Sequence, residues 1–175
     1  MAALIYLLDT LISLALLVFL LRLLLQWSRA DFRNPLTRAL VQITNPVLVP
    51  LRRILPAVGR VDTASVVIVI ALAMLRTGSA WALRGLGIPL LPGWLYLAAA
   101  SLLQTILWTY FLALVLYSLL SFATQGGYNP AQALLQSLCE PLLRPIRRVI
   151  PPLGGIDFSP LWLCIAIQVI LRLLP

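Results

Sequence analysis

Hydrophobic residues occur in four long runs, separated by segments that hold most of the polar residues. The runs cover about residues 3–27, 63–83, 94–122 and 159–174. Because a helix needs about 20 residues to cross the hydrocarbon core of a bilayer, the pattern predicts four transmembrane helices, of which the last is short. The first run has no basic n-region and contains Asp9, so we expect a permanent span rather than a cleaved signal peptide.

Arginine is distributed unevenly between these predicted spans. The segment between the first two spans carries six arginines and the segment between the last two carries three. Between the middle two spans there is only Arg84. By the positive-inside rule, we expect both Arg-rich segments in the cytoplasm and both termini on the outer side of the membrane.

The two Arg-rich segments repeat each other at a distance of 95 residues, and eleven positions match without a gap. We call residues 34–62 the first elbow and residues 129–157 the second elbow. The shared residues include Asn34, Pro46, Pro50, Pro56, Gly59 and Asp62, which recur as Asn129, Pro141, Pro145, Pro151, Gly154 and Asp157. Each half is a span, an elbow and a second span, so residues 1–93 and 94–175 are predicted to form two parallel repeats.

Each elbow is predicted to begin with an amphipathic helix. Asn34 and Asn129 are good N-cap residues, and the proline after each suits the first helical position. We expect about three helical turns lying in the membrane interface. Pro46 and Pro141 should end these helices, because a proline inside a helix removes a hydrogen bond. In the first elbow the predicted apolar stripe consists of Leu36, Leu40, Ile43 and Val47.

The sequences PLRRILP and PIRRVIP follow, beginning at Pro50 and Pro145. Prolines bound both sequences, so each should hold one short turn that places two adjacent arginines at the inner headgroup layer. Guanidinium groups bind phosphate bidentately and stay charged. We therefore predict that the elbows bind anionic phospholipid, and a membrane-protein partner or a second copy of the chain, through Arg52, Arg53, Arg144, Arg147 and Arg148.

Three roles remain open for the aspartates that close the elbows, Asp62 and Asp157. Gly59 and Gly154 permit a backbone reversal just before them. Each aspartate could cap the helix that follows, form an ion pair with an arginine of its own elbow, or take part in moving an ion or proton.

Two further charges lie inside predicted spans. Asp9 and Arg76 are both roughly 10 Å deep from the outer side, counted at 1.5 Å per residue. We predict an ion pair between them; separate snorkelling and a role in conduction are the alternatives. Arg22 and Arg172 lie near span ends, where we expect them to snorkel.

The doubled pattern NP…P…P-x-RR-x-x-P-x-x-G-x-x-D between paired spans resembles the YggT family of bacterial inner-membrane proteins, whose plastid relatives are called YlmG. The second copy, PLLRPIRRVIPPLGGID, is close to the usual form of the family. The first copy has Val49 and Arg60 where the second has Arg144 and Gly155. The resemblance implies a link to osmotic or ion-stress tolerance in bacteria, and to cytochrome assembly and nucleoid organisation in plastids.

Composition narrows the function classes. The chain is 62% hydrophobic and has no histidine, and all thirteen basic residues are arginine, which argues against most acid–base, Schiff-base and metal chemistry. Cys139 and Cys164 lack metal-ligand spacing. The net charge of +8 could indicate nucleic-acid binding, but the arginine-rich segments lack interleaved exposed aromatic residues that would stack on bases. Direct binding of nucleic acid is therefore not expected. We expect an all-α membrane protein without enzymatic activity, cofactor or identified small-molecule substrate, acting as a scaffold or assembly factor; a small oligomeric channel or transporter is the alternative.

Overall fold

The computed structural model describes residues 2–57, 62–83, 85, 90–123, 129–150 and 157–174. Within these ranges the regular structure is entirely helical, as the sequence predicted. The helices are α1 (Ala2–Trp27), α2 (Pro35–Ile54), α3 (Thr63–Leu83), α4 (Leu91–Ala123), α5 (Pro130–Val149) and α6 (Ser159–Leu173).

Three of these helices are long and apolar enough to cross a membrane. The apolar stretches are Ala3–Trp27, Thr63–Leu83 and Leu91–Ser121. Helix α3, with 21 residues, is about 32 Å long, which matches the hydrocarbon thickness of about 30 Å. Helix α6 is apolar too, but its 15 residues extend only about 22 Å. The chain is therefore a membrane protein, and its fourth span stays a prediction.

The described helices divide between two compact units. The first unit comprises Met1–Leu23 and Gln42–Ile106. Small residues dominate the buried side of α3 in this unit, and small side chains are what lets membrane helices approach each other closely. The buried residues of α3 are Ala64, Ser65, Val69 and Ala73.

Trp94 links α3 to α4 inside the first unit. Its indole Nε1 donates to the Met74 carbonyl oxygen and to Thr77 Oγ1, both at 3.1 Å. The six-membered part of the ring lies against Gly78, where an added Cβ would be 2.8 Å from Trp94 Cζ2. The two hydrogen bonds fix the ring in this position, so residue 78 has no room for a side chain.

The second unit comprises Leu24–Val41 and Leu107–Pro175. Its core is built from leucines of α1, α4 and α5 together with an isoleucine of α6, all at most 5% exposed: Leu24, Leu25, Leu114, Leu138, Leu143 and Ile167. The close packing of these large side chains contributes van der Waals contacts that hold the unit together.

Helix α1 ends in a Schellman motif within the second unit. The Ala30 N–H donates to the Leu25 carbonyl at 2.9 Å, and the Arg29 N–H donates to the Gln26 carbonyl at 3.2 Å. Arg29 has φ 54°, the left-handed conformation that glycine usually adopts at this position. The motif turns the chain out of α1 and toward the first elbow.

The prediction that Pro46 and Pro141 end the elbow helices is wrong. Helix α2 continues through Pro46 and Pro50 to Ile54, and α5 continues through its two prolines to Val149. The single short turns predicted after Pro50 and Pro145 are therefore the last turns of these helices. Each proline removes one backbone hydrogen bond, but all four prolines lie on exposed faces.

The reason that α2 and α5 continue is their buried residues beyond the first proline. Leu48 and Leu143 are fully buried. They follow Pro46 and Pro141, the first interior prolines of their helices, by two residues. Ending the helix at the proline would expose them, at a cost of about 1.5–3 kcal/mol for each leucine. Each helix has two interior prolines at about 3 kcal/mol each, so this burial offsets part of their local cost.

Helix α2 is amphipathic, but its apolar stripe does not face the protein. Leu36, Ile43 and Val47 are 46%, 68% and 47% exposed. The buried side consists instead of Thr37, Thr44 and Leu48. An outward apolar stripe on a helix with polar inward residues is what a lipid-facing helix requires.

We expect Gly78→Ala to destabilise the first unit by about 1–3 kcal/mol, because the new Cβ must displace the hydrogen-bonded Trp94 ring. Thermal unfolding of the purified protein in detergent measures the change. Gly93→Ala is the matched control: nothing lies within 4 Å of its Cβ, so it should be neutral or stabilising by up to about 1 kcal/mol. Equal melting temperatures for both variants would contradict this account of Trp94.

Candidate functional site

The end of α2 is tied to the start of α3 by a bidentate ion pair. Arg52 Nε is 3.3 Å from Asp62 Oδ1, and Arg52 Nη2 is 2.5 Å from Asp62 Oδ2. Asp62 is only 2% exposed and also accepts a 2.6 Å hydrogen bond from Ser65 Oγ. Thr63 Oγ1 adds a bond to the Pro56 carbonyl at 2.8 Å. These bonds close the first elbow.

The bridge shifts the titration of both partners. Burial raises the pKa of the Asp62 carboxyl, but the hydrogen bonds from Arg52 and Ser65 outweigh burial, so the pKa lies below its ordinary value. The hydrogen bond to Asp62 likewise holds the pKa of Arg52 above its ordinary value. Both side chains are therefore charged at neutral pH.

The second elbow is closed by an equivalent ion pair, in which a second carboxylate, Glu140, also takes part. Arg147 Nε donates to Asp157 Oδ2 at 2.7 Å, and Arg147 Nη1 donates to Glu140 Oε2 at 2.8 Å. Asp157 Oδ1 accepts from the Ser159 N–H at 2.9 Å, at the start of α6. Each aspartate thus pairs with an arginine of its own elbow and also bonds a serine of the helix that follows.

The pKa values in the second elbow move in the same directions. Burial raises the pKa of Asp157, and the hydrogen bonds from Ser159 and Arg147 lower it by more. Burial lowers the pKa of Arg147, but bonding to Asp157 and Tyr117 and the charge of Glu140 bring it above the ordinary value. The ion pair is fully charged at neutral pH.

The adjacent arginines have separate roles because of helix geometry. Successive residues of an α-helix lie about 100° apart around its axis, so two neighbours cannot face the same partner. Arg52 and Arg147 face the aspartates, whereas Arg53 and Arg148 are exposed. Arg144 is also exposed, at 71%, with its Nε 3.9 Å from Glu140 Oε1. Three of the five predicted contact arginines are therefore available at the surface.

The two asparagines cap their helices. Asn34 Oδ1 accepts from the Leu36 N–H, and Asn129 Oδ1 accepts from the Ala131 N–H, both at 2.9 Å. Asn34 Nδ2 also donates to the Pro130 carbonyl at 2.7 Å, which links the start of α2 to the start of α5 within the second unit.

Three predicted elbow residues fall on parts of the chain for which no structure is described. Gly59, Pro151 and Gly154 lie outside the described residues. The predicted backbone reversal at the two glycines therefore stays a prediction.

Arg22 does not snorkel, contrary to the prediction. It is 6% exposed and donates to Thr44 Oγ1 and, at 3.0 Å, to Asn45 Oδ1. The distance of Arg22 from the end of α1 suggested a solvated head group, but two acceptors on α2 hold the guanidinium inside the first unit. Arg172, in contrast, is exposed.

The sequence did contain a signal for the residues that surround the bridges. The 95-residue shift aligns Arg22 with Tyr117 and Asn45 with Glu140. Tyr117 Oη lies 3.5 Å from Arg147 Nη2, so it contacts the second bridge from α4. Extending the 95-residue comparison from the elbows to the spans would have identified Arg22 and Tyr117 as further residues near the two bridges.

The predicted intramembrane pair is also brought together. Arg76 Nε donates to Asp9 Oδ1 at 3.2 Å, and the side chains are 31% and 44% exposed. Both residues line a cavity of about 640 Å³ in the first unit. This cavity and the two elbows are the polar features with a possible function.

The described ranges contain no group of side chains suited to metal binding and no reactive thiol at Cys139. No group of three or more cysteine, aspartate or glutamate side chains comes together there as metal ligands would. Cys139 is a buried free thiol, and burial raises its pKa to about 12, so it is protonated and unreactive at neutral pH.

We expect Arg52→Gln to destabilise the protein by about 2–3 kcal/mol, because it leaves the buried Asp62 carboxylate without its cation. A fully buried pair would cost about 3–5 kcal/mol, but Arg52 is 39% exposed and partly screened. Arg53→Gln is the matched control, expected to change stability by less than about 0.5 kcal/mol. Thermal unfolding in detergent compares them, and equal losses would show that Arg52 does not hold the elbow.

We also expect the elbows to loosen in acid. The pKa values of Asp62 and Asp157 are lowered from 3.8, so their stabilisation is complete above pH 3.8 and is lost as the pH falls through the lowered pKa values. Amide exchange at the starts of α3 and α6, corrected for intrinsic rates, should increase as the pH falls below 3.8 and through the lowered pKa values. Asp62→Asn should remove this response at α3 and leave it at α6; an unchanged response at α3 would rule out Asp62 as its source.

Comparison with known proteins identifies the family. The CCB3/YggT family model matches residues 1–83 and 96–175. The chain is 43% identical over 172 residues to an uncharacterised protein of Pseudomonas aeruginosa, covering 96% of this chain and 86% of the relative. It is 38% identical over 170 residues to the uncharacterised protein YggT of Escherichia coli, covering 97% and 88%.

A third relative, an uncharacterised protein of Haemophilus influenzae, is 39% identical over 153 residues, which are 87% of this chain and 81% of the relative. No solved structure matches the chain. The resemblance to YggT proteins predicted from the doubled motif is confirmed over nearly the whole length. The chain belongs to the CCB3/YggT family.

Proposed function

We propose that this protein is a non-enzymatic scaffold or assembly factor of the bacterial inner membrane. Its two elbows bind anionic phospholipid and a membrane-protein partner, or a second copy of the chain, at the cytoplasmic face. We expect no direct binding of nucleic acid, and no small-molecule substrate is identified for it. It acts by positioning other proteins and uses no cofactor.

This proposal rests on the different environments of the two adjacent arginines in each elbow: one is ion-paired and the other is exposed. Arg52 and Arg147 are engaged with buried or half-buried carboxylates, which fixes the end of each helix. The next residue of each helix, Arg53 or Arg148, is thereby held at the surface with its charge exposed. Because the backbone beneath these exposed side chains is already held, binding phosphate or carboxylate there loses less conformational entropy than on a mobile segment.

The proposed architecture places these arginines at the membrane surface. The four spans are α1, α3, α4 and α6, arranged as two parallel repeats with both termini in the periplasm. Helices α2 and α5 lie in the cytoplasmic interface. The exposed apolar stripe of α2 faces the acyl chains in this arrangement, which supports an interfacial position.

A small oligomeric channel or transporter is the second candidate. The observation that favours it is the polar cavity around Asp9 and Arg76, within the apolar stretches of α1 and α3. Charged residues inside a membrane commonly mark ion or substrate pathways. Ion flux through liposomes that contain the purified protein, abolished by Asp9→Asn, would favour this candidate over the scaffold.

To test the scaffold, we replace the exposed elbow arginines together: Arg53→Gln, Arg144→Gln and Arg148→Gln. Each arginine near an anionic surface contributes about 1 kcal/mol, so the triple variant should retain anionic lipid, and any partner that co-purifies with the wild-type protein, far less well. Native mass spectrometry after mild detergent extraction measures both.

Arg172→Gln is the control for this experiment, because Arg172 is also exposed but lies at the end of α6. It should bind lipid and partner like the wild type. A reporter fused to the N-terminus checks that the triple variant keeps its orientation. Undiminished lipid and partner binding by a correctly oriented triple variant would contradict the proposed function.

A further inference from the structure

The cavity around Asp9 and Arg76 combines an ion pair with neutral polar groups. Its lining residues come from α1, α3 and α4 of the first unit. The neutral polar side chains of the lining include those of Ser79, Ser101 and Gln104. Its volume of about 640 Å³ exceeds the share of liquid volume that one water takes, about 30 Å³, by some twentyfold. The cavity is therefore large enough for a small organic group.

The ion pair uses only part of its hydrogen-bonding capacity. Within the described ranges, the contact is a single bond from Arg76 Nε to Asp9 Oδ1, at 3.2 Å. The Arg76 Nη1 and Nη2 groups donate to no described residue, and Asp9 Oδ2 accepts from none. A guanidinium has five N–H donors and a carboxylate has two acceptor oxygens. Four donors and one oxygen are thus available to a ligand.

These free groups specify the ligand. The two amino groups of a guanidinium match the paired oxygens of a phosphate, whereas the second carboxylate oxygen accepts from an ammonium group. Because the two protein charges are in contact, the ligand must carry its own opposite charges close together. A phosphate and an ammonium separated by two carbons, as in phosphoethanolamine, satisfy this condition.

We propose that the Asp9–Arg76 cavity binds a phosphoethanolamine-type zwitterion, with the phosphate on Arg76 and the ammonium on Asp9. The same chemistry occurs in a phospholipid headgroup and in a free soluble zwitterion. The apolar residues of the lining, Ile5, Ala80 and Leu83, offer a surface for the carbon chain attached to the phosphate. Tyr6, also in the lining, is 76% exposed.

Native mass spectrometry of the purified protein tests the proposal with three probes: phosphatidylethanolamine, phosphatidylglycerol and soluble glycerophosphoethanolamine. In the variant with Arg53→Gln, Arg144→Gln and Arg148→Gln, where the anionic-lipid contacts proposed for the elbows are removed, we expect phosphatidylethanolamine to bind in preference to phosphatidylglycerol, which lacks the ammonium. Asp9→Asn and Arg76→Gln should each weaken its binding at least about tenfold, because each removes a charge-assisted hydrogen bond. Arg172→Gln, which changes an exposed arginine of the second unit, should not alter it.

The soluble probe distinguishes the two sources. Binding of phosphatidylethanolamine without the soluble headgroup assigns a lipid, and binding of the soluble headgroup alone assigns a free solute; both support the zwitterion site. Equal binding of the two phospholipids by the variant with the three elbow substitutions would overturn the proposal. So would unchanged phosphatidylethanolamine binding by Asp9→Asn and Arg76→Gln.

Photo-cross-linking of the wild-type protein provides a second test, which does not depend on the folding of the Asp9 and Arg76 variants. Phosphatidylethanolamine with a photoreactive group on its headgroup is cross-linked to the wild-type protein, and the modified peptide is identified. Adducts on α1 near Tyr6 or on α3 near Ser79 are expected, since both residues line the cavity. Adducts confined to other parts of the chain would overturn the proposal as firmly as the binding data.

Discussion

The structure depends on the pairing of every carboxylate that lies close to hydrocarbon. A charge removed from water costs several kcal/mol unless a counter-ion and hydrogen bonds replace its hydration. The chain has only five acidic residues, and four of them form ion pairs with arginine in the described ranges: Asp9, Asp62, Glu140 and Asp157. Asp31, the fifth, accepts from the Arg33 N–H at 2.8 Å. Asp9, Asp62 and Asp157 thus link the ends or faces of different helices.

Much of the fold was predictable because it follows from local chemistry. Apolar runs of sufficient length identified α1, α3 and α4, and an asparagine before a proline identified the starts of α2 and α5. The ends of α2 and α5 were not predictable from proline alone. The cost of a proline is local, but the burial of Leu48 and Leu143 that offsets part of it depends on neighbouring helices, which the sequence does not show.

The candidate site was predictable where both partners belong to one repeated motif. Asp62 and Asp157 follow their arginines by ten residues in both copies, so an ion pair was among the alternatives. Arg22 was misjudged because its depth was counted along α1 alone, without the acceptors Thr44 and Asn45 of α2. Spacing within one element locates a residue along that element, but it says little about what another element places beside it.

The two elbows share one tie but surround it with different charges. Around the first bridge, Arg22 lies close enough to Arg52 and Asp62 to interact with both electrostatically, whereas Arg144 and Arg147 pair with Glu140 and Asp157 around the second. The formal charges of these groups sum to +1 in the first set and to zero in the second. Since the tie itself is common to both, it accounts for the repeated motif, and the differing neighbours give the two elbows different electrostatic fields. Because the tie is repeated and the charges around it are not, duplication of the motif need not mean duplication of its ligand.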